Sequence, residues 1–78
     1  MDVKRLTYMA NQIAEFFGSY PEHEAVTATA VHLHQFWDGR MRDQLARHAA
    51  AGGEGLTAIA LAAVRQIQEQ EPEPDTPR

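Results

Sequence analysis

The chain has 78 residues and not one cysteine, so neither a disulfide framework nor a thiolate-bound metal or iron–sulfur site can reinforce it, and a thiol nucleophile is excluded. A domain of this length buries only about 60% of the surface its unfolded chain exposes. Its modest stability must therefore come from helix or sheet packing, or from a partner. Hydrophobic periodicity decides between the first two. Apolar residues recur at helical spacing throughout, no stretch shows the alternation of a half-buried strand, and no internal repeat is present.

The first segment starts at Asp2, a suitable N-cap, and carries Val3, Leu6, Met9, Ala10, Ile13, Phe17 and Tyr20 on one stripe. Lys4, Tyr8, Asn11, Gln12 and Glu15 fall on the opposite face, Phe16 lies at the stripe's edge, and Gly18 supplies a stop. Ser19-Tyr20-Pro21-Glu22 has capping-box spacing with a proline in the first turn, and opens a second helix running to about Trp37. Its buried row is Val26, Ala30, Leu33 and Trp37, with Thr29 and Phe36 beside it. Asp38 caps a third helix over residues 39–51 that presents Met41, Leu45 and Ala49 on one face. Gly52-Gly53-Glu54-Gly55 ends that helix and forms a tight turn. Thr57 caps a fourth helix, with Leu56 and Leu61 at the N′ and N4 positions of a hydrophobic staple and Ala60, Leu61, Val64 and Ile67 as its buried row. The expectation is an all-α bundle of three to four short helices over residues 1–68. Residues 69–78, with Glu69, Glu71, Glu73 and Asp75 among three prolines and no large apolar group, form an acidic tail expected to be disordered.

The formal charge of −4 is concentrated in that tail. Residues 1–68 hold six Lys/Arg against seven Asp/Glu, and the basic cluster Arg40, Arg42 and Arg47 is too small for a nucleic-acid footprint. No apolar run approaches the roughly 18 residues of a membrane span, and the N-terminal residues lead into an amphipathic stretch instead of an apolar signal region. A soluble, cytoplasmic chain is expected.

Catalytic signatures are missing where spacing would reveal them. His32 and His34 are two apart on a helix and point in different directions, His23 and His34 are three turns apart, and His48 belongs to another helix, so a metal site is disfavoured. The 52–55 glycines follow no strand and are not closed by Gly-Lys-Ser/Thr, which makes them a helix-ending turn and not a phosphate loop. No Ser–His–Asp arrangement or catalytic carboxylate pair is evident.

Phe36-Trp37-Asp38-Gly39-Arg40-Met41-Arg42 carries the most information. In one reading it is a helix corner, with Trp37 filling the core and the arginines solvated. In the other it is an interface anchor, since Trp and Arg are enriched at binding hot spots and Arg pairs bidentately with carboxylate or phosphate. Phe16 and Phe17 cannot both point to the centre of one narrow stripe, which leaves Phe16 available to a partner. The candidate partner-interface residues are thus Phe16, Trp37, Arg40, Arg42 and Arg47.

Met9-Ala10-Asn11-Gln12-Ile13, Phe16-Phe17, Tyr20-Pro21, Phe36-Trp37-Asp38-x-Arg40-Met41-Arg42 and Gly52-Gly53-x-Gly55-Leu56 together resemble the delta subunit of bacterial molybdenum-dependent, NAD-linked formate dehydrogenase, over about residues 4–67. Gly39 stands where proline is expected in many relatives. The resemblance implies a non-catalytic accessory chain without a cofactor of its own. Its expected partner is a catalytic alpha subunit holding molybdenum bis-pterin guanine dinucleotide and iron–sulfur clusters, with FMN and NAD handled elsewhere in the assembly. It further implies that the chain stabilises the alpha subunit or aids its maturation. The alternatives are a transient maturation chaperone and a helix-turn-helix nucleic-acid module.

Overall fold

The structure, a computed structural model, describes residues 2–70. Four helices follow one another: α1 (Val3–Phe16), α2 (Glu22–Phe36), α3 (Gly39–Ala50) and α4 (Ala58–Gln70). No strand occurs among the described residues, and the all-α expectation holds. The helix expected to end at Gln68 continues through Glu69 and Gln70; residues 71–78, the remainder of the expected tail, lie outside the described residues.

Most of the capping chemistry is local and legible. Asp2 Oδ1 accepts from the Lys4 amide at 3.2 Å, Asp38 Oδ1 from the Met41 amide at 2.8 Å, and Thr57 Oγ1 from the Ala60 amide at 3.3 Å. Each satisfies an amide that the first helical turn leaves without a partner. The Ser19–Glu22 capping box does not form. The N-cap position of α2 falls on Pro21, whose ring fixes an extended entry (φ −53°, ψ 146°) and which makes no side-chain cap bond. Ser19 is thereby two residues too early. Gly18 is likewise no left-handed cap: α1 ends at Phe16, and the glycines with positive φ are Gly52, Gly53 and Gly55.

The end of α3 is a Schellman motif, with the Gly53 amide donating to His48 O at 2.9 Å and the Gly52 amide to Ala49 O at 3.1 Å. Gly53 is constrained twice over. Its φ is +65°, and a Cβ there would stand 2.8 Å from Leu61 Cδ1 and 3.5 Å from Leu56 Cδ1, the two side chains expected as a hydrophobic staple.

Helix α4 packs most extensively on α2 and also touches α3 and α1. Between them lie Leu6, Leu33, Trp37, Leu45, Val64 and Ile67, filled in by alanines. Seven of the thirteen buried apolar residues are alanine, which lets helices approach closely but buries little oil per residue. The alanines also rotate the buried stripes away from the expected ones. On α1 the buried set is Leu6, Thr7, Ala10 and Ala14; on α2 it is Ala25, Thr29, Ala30 and Leu33, while Val26 is half-buried and Phe36 exposed. Thr29, wholly buried, satisfies its hydroxyl by donating to Ala25 O at 2.7 Å.

Two glycines should respond in opposite directions to a side chain. Gly53→Ala adds left-handed strain and a clash, and should cost about 2–4 kcal/mol. Gly39 is the first residue of α3, has open space at its Cβ and follows an extended Asp38, so Gly39→Pro should gain about 0.4–1 kcal/mol. Urea denaturation of the two variants would measure both; a destabilised Gly39→Pro would contradict this account of the corner.

Candidate functional site: an aromatic groove beside a capped helix corner

The α2–α3 corner is built by reciprocal capping. Trp37 takes an extended conformation (ψ 140°) that breaks the helix, its amide still donates to Leu33 O at 3.0 Å, and Asp38 then opens α3. Arg42, one turn into α3, reaches back: its Nη1 donates to Trp37 O at 2.7 Å and to His34 O at 3.0 Å. A guanidinium placed on the last carbonyls of α2 satisfies orphaned acceptors and complements the negative end of the helix dipole. The candidate interface residues therefore separate. Trp37 is only 5% exposed and belongs to the core; Arg42 is half-buried and holds the corner together.

Arg40 and Arg47 lie on the exposed side of α3. Arg47 pairs with Asp43 one turn earlier at 3.0 Å, both side chains being well exposed. Such a pair contributes about 0.3–0.5 kcal/mol. Phe16 has the position expected of it, 75% exposed at the end of α1, and Phe36 is 70% exposed at the end of α2.

Those two phenylalanines mark the least self-sufficient part of the molecule. A groove of about 480 Å³ opens between α1 and α2, lined by Met9, Ile13, Phe16, Phe17, His32 and Trp37, with Gln12 at one side. Edge-to-face contacts join Phe16 to Phe17 (centroids 5.0 Å apart) and Phe17 to Tyr20 (6.0 Å), while His32 stacks obliquely on Phe36 at 4.6 Å. No Lys, Arg, Asp or Glu lines it. Gln12 donates from Nε2 to the Tyr8 hydroxyl at 3.2 Å. Trp37 also lines a second, smaller cleft of about 330 Å³ toward α3 and α4, together with Arg42, Asp43, Val64, Ile67 and Gln68.

The histidines are dispersed. His23 and His34 are exposed and His32 is half-buried beneath Phe36. His48 makes a 2.7 Å hydrogen bond through Nε2 to Glu54 O, which requires the proton on Nε2. Among the described residues no group of three or more His, Cys, Asp or Glu is placed to hold a metal ion. With no cysteine in the sequence, the chain offers no thiolate ligand for an iron–sulfur cluster.

Asn11 is the structural residue that the pattern concealed. Its Nδ2 donates to Gly55 O at 2.8 Å and its Oδ1 accepts from the Thr57 amide at 2.9 Å. The side-chain amide thus acts as a short piece of backbone, clamping the turn before α4 to α1. Gly55, with φ +89°, sits close enough that a Cβ would be 3.4 Å from Thr7 Cγ2. The available signal was the row Thr7, Asn11, Ala14, which runs along one face of α1 once alanine and threonine are counted as buried.

Architecture and surface define a class first: a small all-α module whose helix junctions are fixed by side-chain caps and whose α1–α2 face is left apolar and uncovered. Within that class the assignment is specific. The family described as NADH-dependant formate dehydrogenase delta subunit FdsD matches residues 5–64, and the chain belongs to that family. No curated protein and no solved structure matches it. The matched span holds both polar devices described above, Asn11 with the 52–57 turn and Arg42 with the end of α2.

These placements assign Asn11 and Arg42 to stability. Asn11→Ala forfeits two hydrogen bonds and should cost about 1–3 kcal/mol; Arg42→Met should cost about 1–2 kcal/mol, whereas Arg40→Ala should stay within about 0.5 kcal/mol. Thermal unfolding followed by circular dichroism ranks the three. An Arg40 variant as damaging as the Arg42 one would refute the division of roles.

Proposed function

We propose that the chain is a non-catalytic accessory subunit of NADH-dependent formate dehydrogenase that binds and stabilises the molybdenum-containing catalytic alpha subunit. Family membership supplies the complex. The observation within the chain that carries the reading is the apolar face with Phe16 and Phe36 standing out of it, a feature that marks an interaction site in a small soluble module. On this reading formate oxidation, the molybdenum bis-pterin guanine dinucleotide, the iron–sulfur clusters, FMN and NAD all belong to partner subunits. The contribution of this chain is binding free energy: a ligand that recognises only the folded state stabilises it by about 2.7 kcal/mol at a hundredfold excess over Kd.

The reading also places the chain in the cytoplasm; among the described residues no helix is long and apolar enough to cross a membrane. Nucleic acid is a poor partner for it. Of the three arginines on α3, Arg42 is turned back onto the end of α2 and Arg47 pairs with Asp43, so little of the cluster is arranged as a phosphate-binding stripe.

Affinity purification of the tagged chain from its native cell, with metal analysis and subunit identification, tests the assignment. The expected result is near-stoichiometric recovery of a molybdenum-containing alpha subunit from cofactor-replete cells. Recovery of alpha only when cofactor synthesis is blocked would make the chain a transient maturation factor. The chain emerging alone while alpha is abundant would overturn the proposal.

A further inference from the structure

The groove between α1 and α2 and the chemistry around it say which surface docks and what it receives. We infer that this groove, floored by Trp37, walled by Phe16 and edged by His32 with Phe36 stacked on it, takes an apolar ridge from the larger subunit of the complex, with basic residues beside that ridge set against Glu15, Glu22 and Glu24. The inference rests on the subunit reading above and adds the surface and the partner's character.

Three observations select this face. Its two flanking phenylalanines are largely exposed, although each sits on a helix whose other face is already buried. The groove has room for more than one large side chain and offers no charged group, so a charged occupant would lose its hydration without compensation. The floor is also preorganised. Trp37 is held through its amide by Leu33 O and through its carbonyl by Arg42, so an incoming side chain meets a fixed surface and orders little.

Charge sets the orientation. Glu15 immediately precedes Phe16, and Glu22 and Glu24 stand exposed in the first turn of α2, just after the turn that carries Phe17 and Tyr20. None of the three has an ion-pair partner among the described residues, and no Lys or Arg lies between residues 6 and 39. A basic rim on the partner complements this end and steers its approach. The chain's own residues 71–78, bearing Glu71, Glu73 and Asp75, have the wrong chemistry both for the apolar floor and for that acidic end. A second copy would leave the face closed to the other subunits that the family implies.

The test uses the full-length chain and the purified alpha subunit of the same formate dehydrogenase. Phe16→Asp and Phe36→Asp, both at exposed positions, should keep the helical circular-dichroism spectrum of the parent while weakening association about tenfold or more. Glu22→Lys should slow association at low salt, and the difference should shrink as salt rises. Arg47→Ala, at an exposed position on α3 outside the groove's lining, should change affinity by less than about threefold. Because Trp37 is the sole tryptophan, 5-fluorotryptophan in this chain gives one fluorine resonance, expected to shift when alpha binds.

Failure can be located. Association that survives both Phe variants, or an unmoved fluorine resonance in the formed complex, overturns the surface and leaves the subunit reading standing. A free chain that sediments as a dimer and becomes monomeric in Phe16→Asp assigns the groove to a second copy and overturns the inference. No association of the parent chain with alpha overturns the subunit reading itself, and the surface with it.

Discussion

The paired hydrogen bonds of Asn11 to Gly55 O and the Thr57 amide have an effect out of proportion to their number, because of what the core lacks. An interior filled largely with alanine allows close helix approach but gives each contact little hydrophobic free energy and little shape to lock a register. The last helix joins the others across a glycine-rich turn that could adopt many conformations. A side-chain amide reaching from α1, the His48 ring reaching from α3 to Glu54 O, and the Schellman bonds at the end of α3 leave that turn one path. Once the path is set, Thr57 caps α4 and Val64 and Ile67 arrive in the core. Polar groups here specify an arrangement that oil alone would leave loose.

Arg42 does for the second junction what Asn11 does for the third. Both use a polar side chain near the beginning or middle of one helix to satisfy backbone groups of another element, and both lie in sequence segments where a pattern reading places surface residues. That shared logic explains why the fold was so legible and the candidate site less so. Helix number, the caps at Asp2, Asp38 and Thr57, and the glycine stop after Ala51 depend on local chemistry within four residues, which a sequence displays directly. The fate of Asn11 depends on a residue 46 positions away, and that of Trp37 on how α4 covers the corner. Alanine misled the reading in a specific way: large residues dominate a periodicity, so Val26 was put in the row with Ala30 and Leu33 where Ala25 is the buried residue, and of the two residues placed beside that row Thr29 is buried and Phe36 exposed. The same rotation leaves Phe36 facing outward. Phe16 was legible because two consecutive phenylalanines cannot share one stripe, whereas the capping box at Ser19 failed because the fixed φ of Pro21 moved the helix start downstream.

The two faces of the molecule differ in kind. On α3 the exposed residues Arg40, Asp43 and Arg47 are charged, with Arg47 paired to Asp43, and that surface loses little by staying in water. The α1–α2 face holds aromatic rings that touch one another yet leave Phe16 and Phe36 mostly uncovered. For a chain of this size that arrangement is costly in isolation, since each exposed ring is apolar area withheld from a core short of it. The cost makes sense where stability is completed by association, and family membership among formate dehydrogenase subunits supplies the setting.

Trp37 joins those two considerations. It lines the α1–α2 groove on one side and the cleft formed with α3 and α4 on the other, so one side chain is both floor of the exposed face and wall of the inner packing. A group that fills the groove presses on the same ring that Val64 and Ile67 approach from the far side. Any partner bound there favours the arrangement in which Trp37, Arg42 and α4 are all in place, and the free energy of binding becomes free energy of folding by mass action. Trp37 and Arg42 thus act on that face through the corner they hold: they determine whether Phe16 stands beside a firm floor or a yielding one.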